Sequence, residues 1–151
     1  MKNLTFSTDK NILSVDVDCY QKGLSVTCVI AGFHERSPRV LLTKFSDSAK
    51  WMLPTSLVMK TESPEDAAYR VLKVHNGLQG VNLQQFRLFG DSGRLTSCEI
   101  NTILNLHGVE TIESAKRLVT LGYYALADMS KVVLNADPNM ETRCFSLKEL
   151  P

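Results

Sequence analysis

Apolar and polar positions alternate through "ILSVDVDCY", Ile12 to Tyr20, the period of a half-buried strand. "LSVTCVIAGF", Leu24 to Phe33, is β-branched and mostly apolar, which predicts a buried strand. "HERSP" then breaks the pattern at Pro38, and "RVLLTKF" resumes it, so the two runs are expected as a hairpin. "WMLPTSLVM" holds Pro54 inside an apolar run, which suits two short strands, or a strand and a turn, better than a helix. From Ser63 the period changes. Ser63 is a good N-cap, Pro64 fits the first helical position, and Glu65 and Asp66 complement the positive helix end. Ala68, Val71, Leu72 and His75 fall on one helical stripe, and Asn76-Gly77 supplies a stop. "VNLQQFRLFG" reads as a strand with Leu83, Phe86, Leu88 and Phe89 as its apolar mass. Ser97 to Arg117 reads as two short helical pieces broken at Gly108, the first with a stripe of Ile100, Ile103 and Leu104. "LVTLGYYALADM" is a strong strand, and "RCFSLKEL" is a last strand leading into a helix start. The sum is a mixed α+β domain with its strands sandwiched by helices.

Composition narrows the class without naming the function. The 151 residues are enough for one domain with a real core, taken as residues 1–151, with 1–23 as an N-terminal extension or strand. A net charge of +1 argues against a broad nucleic-acid or membrane surface. No apolar run has the length of a membrane span, and the first residues lack a signal peptide's apolar segment, so a cytoplasmic location is expected. Cys19, Cys28, Cys98 and Cys144 form no CxxC pair and are expected as buried, inert thiols. His34, His75 and His107 are widely spaced, and nothing in the pattern joins them into a metal site.

The stretch "TESPEDAAYRVLKVHNGLQG" resembles the signature of the Nudix superfamily, G-x5-E-x7-R-E-U-x-E-E-x-G-U, with U a bulky aliphatic residue. Anchored on Gly77-Leu78, Ser56 takes the first glycine position, Glu62 the first acid, Arg70 the arginine and Leu72 the middle aliphatic. Val71, Val74 and His75 fall on the three remaining acids. The flanks are similar to the transcription-regulator branch of that superfamily. "CVIAGF", "VLLTKF" and Trp51 to Pro54 precede the box, while Phe89 to Asp91, Arg117 to Leu126 and Phe145 to Pro151 follow it. The resemblance implies a Nudix-type α/β/α sandwich with a mixed sheet. It departs from the branch over Ser92 to Ala115, where a short loop is replaced by a helical insertion.

The hydrolases of this superfamily attack a pyrophosphate with water, using Mg²⁺ bound by the helix glutamates. Mg²⁺ wants oxygen ligands, whereas valine has none and histidine offers a nitrogen. Glu65 and Asp66 sit in the first turn, where capping is their expected work. Thr55-Ser56 stands where a glycine pair would lie, and the basic pair ending the preceding strand is reduced to Lys44-Phe45. The resemblance therefore implies a box that has lost its catalytic acids, with no cofactor unless the hydrolase reading holds, in which case Mg²⁺.

Each candidate residue has a plain reading beside the functional one. Val71 and Val74 are either core valines or apolar walls of the old groove. Arg70 is an ion-pair partner for Glu62 before it is a ligand contact, and His75 is a helix-end histidine. Trp51 is core, or it stacks on a sugar or base beside the groove, and Lys44 is solvated or touches the ligand. Asp91 and Arg94 occupy the "FGD" loop that lies near the pocket in the regulator branch. Regulators of this branch respond to ADP-ribose-like compounds or sugars such as arabinose, form dimers, and bind DNA through a C-terminal winged helix. The chain is thus expected to bind a small-molecule effector, with a homodimer as the assembly to test. It is not expected to contact membrane, and DNA is reached only through a winged-helix domain in a longer chain. Two other classes stay open: a divergent hydrolase recruiting Glu62, Asp91 or Glu99, and a protein-interaction domain using an apolar patch over Ile100, Ile103 and Leu104.

Overall fold

The computed structural model describes residues 19–46, 48–73, 80–106, 117–130, 132 and 140–151. The strand at Ile12 to Asp18, the second helical piece after His107, and Val74, His75 and Gly77 lie outside the described residues. Among the described residues six strands and two helices run in the order β1 (Tyr20–His34), β2 (Ser37–Phe45), β3 (Thr55–Met59), α1 (Pro64–Val71), β4 (Gln84–Phe89), α2 (Ser97–Leu106), β5 (Val119–Asp128) and β6 (Met140–Ser146). A 3₁₀ turn at Leu147–Glu149 stands where a helix start was expected. None of the helices is long and apolar enough to cross a membrane, among the described residues.

β1 organises the sheet because it is long enough to hold three partners. Its whole inner length pairs parallel with β5, from Leu24↔Val119 to Phe33↔Asp128. On its other edge the first half pairs antiparallel with β3 and the second half with β2. The strand order is β4-β5-β1-β2-β6, with β3 beside β1. This mixed sheet with few helices is an α+β arrangement of the kind the sequence predicts. The β1–β2 hairpin closes on Glu35 and Arg36, at φ 49° and 65°. Both central residues have the positive φ that a two-residue hairpin turn demands, although neither is glycine or asparagine.

Strand alternation divides the core between the two faces. On one face Val26, Cys28, Ile30, Leu41, Val58, Tyr123 and Ala125 pack with Ala67, Ala68, Val71 and Leu72 of the α1 region. On the other, Leu57 and Leu118 pack with Ile100, Ile103 and Leu104 of α2. The second cluster corrects one expectation: the isoleucine stripe of α2 is buried against its own sheet and offers no patch for a partner. Apolar surface lies elsewhere, at Phe33, Phe86, Leu88, Tyr124 and Leu126. Phe86 and Leu88, apolar residues of the expected strand, are exposed because β4 is an edge strand that, among the described residues, pairs with β5 alone, with a register shift between Gln85 and Arg87. Cys28 is buried and its thiol is pushed up to about 12 by burial, so it is inert, whereas Cys98 is exposed.

Candidate functional site

The start of α1 is built as the sequence predicts. Ser63 Oγ accepts from the Asp66 N–H at 3.1 Å, and the Asp66 carboxylate accepts from the Ser63 N–H at 3.3 Å. This reciprocal cap satisfies two backbone donors that the helix itself cannot, a gain of about 1 kcal/mol. Pro64 fills the first helical position, and Ala67, Ala68 and Val71 form the buried face.

One turn further on, Arg70 reaches back across the loop that precedes the helix. Its Nη2 donates to Glu62 Oε1 at 2.6 Å and to the Leu57 carbonyl at 2.9 Å. Its Nε donates to Glu62 Oε2 at 3.1 Å and its Nη1 to Ser56 Oγ at 3.2 Å. Glu62 Oε1 also accepts from the Met59 N–H at 2.9 Å. Three residues separated in sequence, Ser56, Glu62 and Arg70, are therefore one network, and it ties α1 and its entry loop to β3. Both charged side chains are mostly buried, at 26% exposure for Arg70 and 14% for Glu62. Burial on its own raises the Glu62 pKa, but the hydrogen bonds from Arg70 and Met59, with the Arg70 charge, more than offset it and hold the carboxyl below its ordinary value. Charge-assisted bonds of this kind are the strong ones in a protein.

Val71, the next residue, points the other way. It is fully buried in the cluster with Val26, Cys28 and Ile30. It supplies packing where the family signature has a carboxylate, and no oxygen for a metal. Glu62 has both carboxylate oxygens committed to protein donors. Among the described residues no group of three His, Cys, Asp or Glu side chains is placed to hold a metal ion. The described part of the box therefore does not fit Mg²⁺, a hard ion that needs several convergent oxygens.

Lys44 and Trp51 form a different cluster. Trp51 meets Phe145 edge to face, with ring centroids 4.8 Å apart. Lys44 Nζ lies 5.0 Å from its ring centroid and Arg143 Cζ 5.4 Å, both over the indole. Glu141, directly across from Lys44 in the sheet, links the two cations at 3.4 Å and 2.6 Å. Alternation puts Lys44 on the face opposite Leu41, away from α1. The candidate residues thus fall into two separate groups, one under α1 and one at the Trp51 corner.

Asp91 and Arg94 belong to a third place, the loop after β4. Arg94 donates to Thr120 Oγ1 at 2.8 Å and to the Leu118 carbonyl at 3.3 Å. Arg117 donates to the Gly90 carbonyl through Nε at 3.0 Å and also through Nη2. Two arginines therefore hold the loop down, while the Asp91 side chain is exposed. Glu99 caps α2, accepting from the Thr96 N–H at 2.8 Å.

The sequence reading passed over an open cavity of about 440 Å³ between the first residues of α1 and the start of β4, with Tyr123 at its base. Its residues come from three distant segments, so no local motif announces it.

No family model and no curated protein sequence matches this chain. Solved structures do. The chain is similar to the NUDIX domain of Shewanella oneidensis NrtR complexed with ADP ribose, at 19% identity and a TM-score of 0.64, over 87% of this chain and 79% of that one. It is similar to Shewanella oneidensis NrtR complexed with a 27mer DNA, at 20% identity and a TM-score of 0.64, over 86% of this chain. There it spans about half the other chain's length, 55%. It is also similar to the C. elegans Ap4A hydrolase, at 14% identity and a TM-score of 0.56, over 85% and 83% of the two chains. At these identities the likeness shows the fold, and the fold is the Nudix fold.

Proposed function

We propose that this chain is a ligand-sensing domain: a Nudix fold kept as a binding scaffold after its metal chemistry was lost. The observation that carries the reading is the contrast inside one helical turn. Arg70 and Glu62, the charged residues of the signature that remain, are consumed by a structural network. Val71, at the position of a signature acid, is packed into the core. Sequence adds that Val74 and His75 replace the other two acids. What survives is the part of the motif that shapes the helix, and what is missing is the part that binds Mg²⁺.

The NrtR structures, one with ADP ribose and one with DNA, support a regulator-type role. In this reading the chain binds a small-molecule effector, an ADP-ribose-like compound or a sugar, and works as a homodimer in the cytoplasm. DNA is contacted only by a separate winged-helix domain. The segment from Ser92 to Ala115, which contains α2, is in this reading an insertion relative to such regulators. Lys44 and Trp51, one cation over one indole, are the pair best suited to stack on a base or sugar.

The second reading, a divergent hydrolase, draws on the Ap4A hydrolase likeness. Its recruited acid would be Asp91, since Glu62 and Glu99 are already bonded to backbone or arginine donors. The test is release of AMP or phosphate from ADP-ribose and diadenosine tetraphosphate, with Mg²⁺ or Mn²⁺. No turnover above a heat-denatured control is expected. Metal-dependent turnover that disappears in Asp91→Asn would establish the hydrolase instead.

A further inference from the structure

β4 presents a strand edge whose two faces differ in kind. We propose that this edge takes up an extended peptide segment of another protein, one in which acidic and apolar residues alternate, as an added strand beside Gln84–Phe89. Among the described residues β4 pairs with β5 alone and ends the sheet on that side. Its side chains are exposed from Gln84 to Leu88. An edge of this kind is a template for another chain, because its outward main-chain N–H and C=O groups repeat at strand spacing. Recognition by strand addition takes its affinity from those groups and its specificity from the side chains beside them.

Register fixes which side chain lies on which face. Leu88 stands opposite Leu121, which packs against the cluster under α1, so Leu88 belongs to the α1 face. It is 56% exposed there. Arg87 stands opposite Gly122 and Phe89 opposite Thr120, on the other face. Arg94 joins them by donating to Thr120 Oγ1 at 2.8 Å. The guanidinium carbons of Arg87 and Arg94 lie 5.5 Å and 5.8 Å from the centroid of the Phe89 ring. One aromatic ring thus holds two exposed cations together beside the edge. Arg117 adds a third at the end of β4, where it donates to the Gly90 carbonyl. The edge is therefore basic on one face and apolar on the other.

That difference defines the partner. A strand added to β4 sends successive side chains to opposite faces. Those beside Arg87 and Arg94 are matched by carboxylates, and those beside Leu88 by apolar groups, so the fitting sequence alternates with a period of two. Opposite charges on neighbouring strands stabilise the pair, whereas like charges oppose it. A second copy of β4 fits poorly for that reason. Pairing two such edges sets the arginines of one against those of the other, and Gln84–Phe89 holds no acid to separate them. The acids at this end, Asp91 and Glu99, lie on the loop and on α2, and Glu99 is already bonded to the Thr96 N–H. A single-stranded nucleic acid would answer the arginines but leave Leu88 and the main-chain edge unmatched. The peptide answers all three, and the claim is independent of any small-molecule effector.

The experiment is a backbone-amide NMR titration of the whole chain with the end-capped peptide Val-Asp-Val-Asp-Val-Asp-Val. The comparators are the same peptide with lysine in place of aspartate, and a short oligothymidine. Expected are saturable shifts over Gln84–Phe89 with a dissociation constant of about 100 μM or below. Hydrogen exchange of the β4 amides is expected to slow, the signature of strand pairing, and the affinity to fall as salt is added. Arg87→Glu is expected to weaken binding about tenfold or more, and Leu88→Ser several-fold. Both positions are exposed, so neither change touches the core. Arg143→Gln, on the far edge strand β6, leaves binding unchanged. The proposal is overturned by no saturable shift up to about 5 mM peptide, by equal binding of the lysine peptide, or by an affinity that ignores both substitutions. Oligothymidine shifting β4 where the peptide does not assigns the edge to nucleic acid and also overturns it. So does a concentration-dependent dimer that is lost in Arg87→Glu while the peptide fails to bind, which assigns the edge to a second copy.

Discussion

Arg70 and Lys44 are both cations beside an acid, and the fold uses them in opposite ways. Arg70 makes four hydrogen bonds, to Glu62 twice, to Ser56 and to Leu57, from α1 back to its entry loop and β3. Lys44 shares Glu141 with Arg143 at the surface and lies over Trp51. Exposure separates the two acids: Glu62 is 14% exposed and Glu141 is 44%. A guanidinium whose donors are spent on its own chain is a clamp. An ammonium held by one exposed carboxylate and an indole can be released to a ligand at small cost. The first cluster fixes the position of α1 on the sheet, and the second is the one the proposed function assigns to a ligand.

The comparison breaks most sharply at Arg70. Arg70→Met leaves Glu62 buried without its partner and unhooks α1 from β3, and a loss of about 3 kcal/mol in urea unfolding is expected. A loss under about 0.5 kcal/mol would mean the network is surface decoration. A smaller effect concerns pH. The Glu62 carboxyl is held below its ordinary value, so its ionised form is bound better in the folded chain than in the unfolded one. Its contribution is fully present above the unfolded-state value, about pH 4.3, and is lost as pH falls through the lower folded value. Melting temperature followed from pH 7 downward is therefore expected to fall less steeply in Glu62→Gln, from a lower starting point, than in the parent chain. Lys44→Ala gives the smallest effect. Exposed pairs contribute about 0–1 kcal/mol, so its stability is expected to change by about 0.5 kcal/mol or less, with a dependence on salt. A larger, salt-independent loss would place Lys44 among the structural groups beside Arg70.

Much of this was legible because it is local. The cap at Ser63 and Pro64 depends on residues three positions apart, and the hairpin follows from two apolar runs about a short break. The Ser56, Glu62 and Arg70 grouping was readable only through the resemblance, which supplied the spacing. Other features depend on tertiary placement that no window of sequence contains. Val71 reads the same as a core residue or a groove wall, and only the packing against Val26 and Ile30 separates them. The apolar content of Phe86 and Leu88 predicts a strand, but their exposure follows from β4 being an edge strand, which sequence does not contain. The Tyr123 cavity needs the head of α1, the start of β4 and the middle of β5 to meet. Even the turn at Glu35 and Arg36 hid its geometry, since neither residue advertises positive φ.

The central claim is that ligand recognition in this chain no longer runs through a divalent metal. The most direct measurement is the melting temperature with ADP-ribose, and separately with pentoses and hexoses, each with and without Mg²⁺. A ligand that binds only the folded chain raises it by mass action, about 2.7 kcal/mol of stabilisation at a hundredfold excess over the dissociation constant. A shift of the same size with Mg²⁺ and with EDTA is expected for one of these ligands. A shift that appears with ADP-ribose only when Mg²⁺ is present would contradict it.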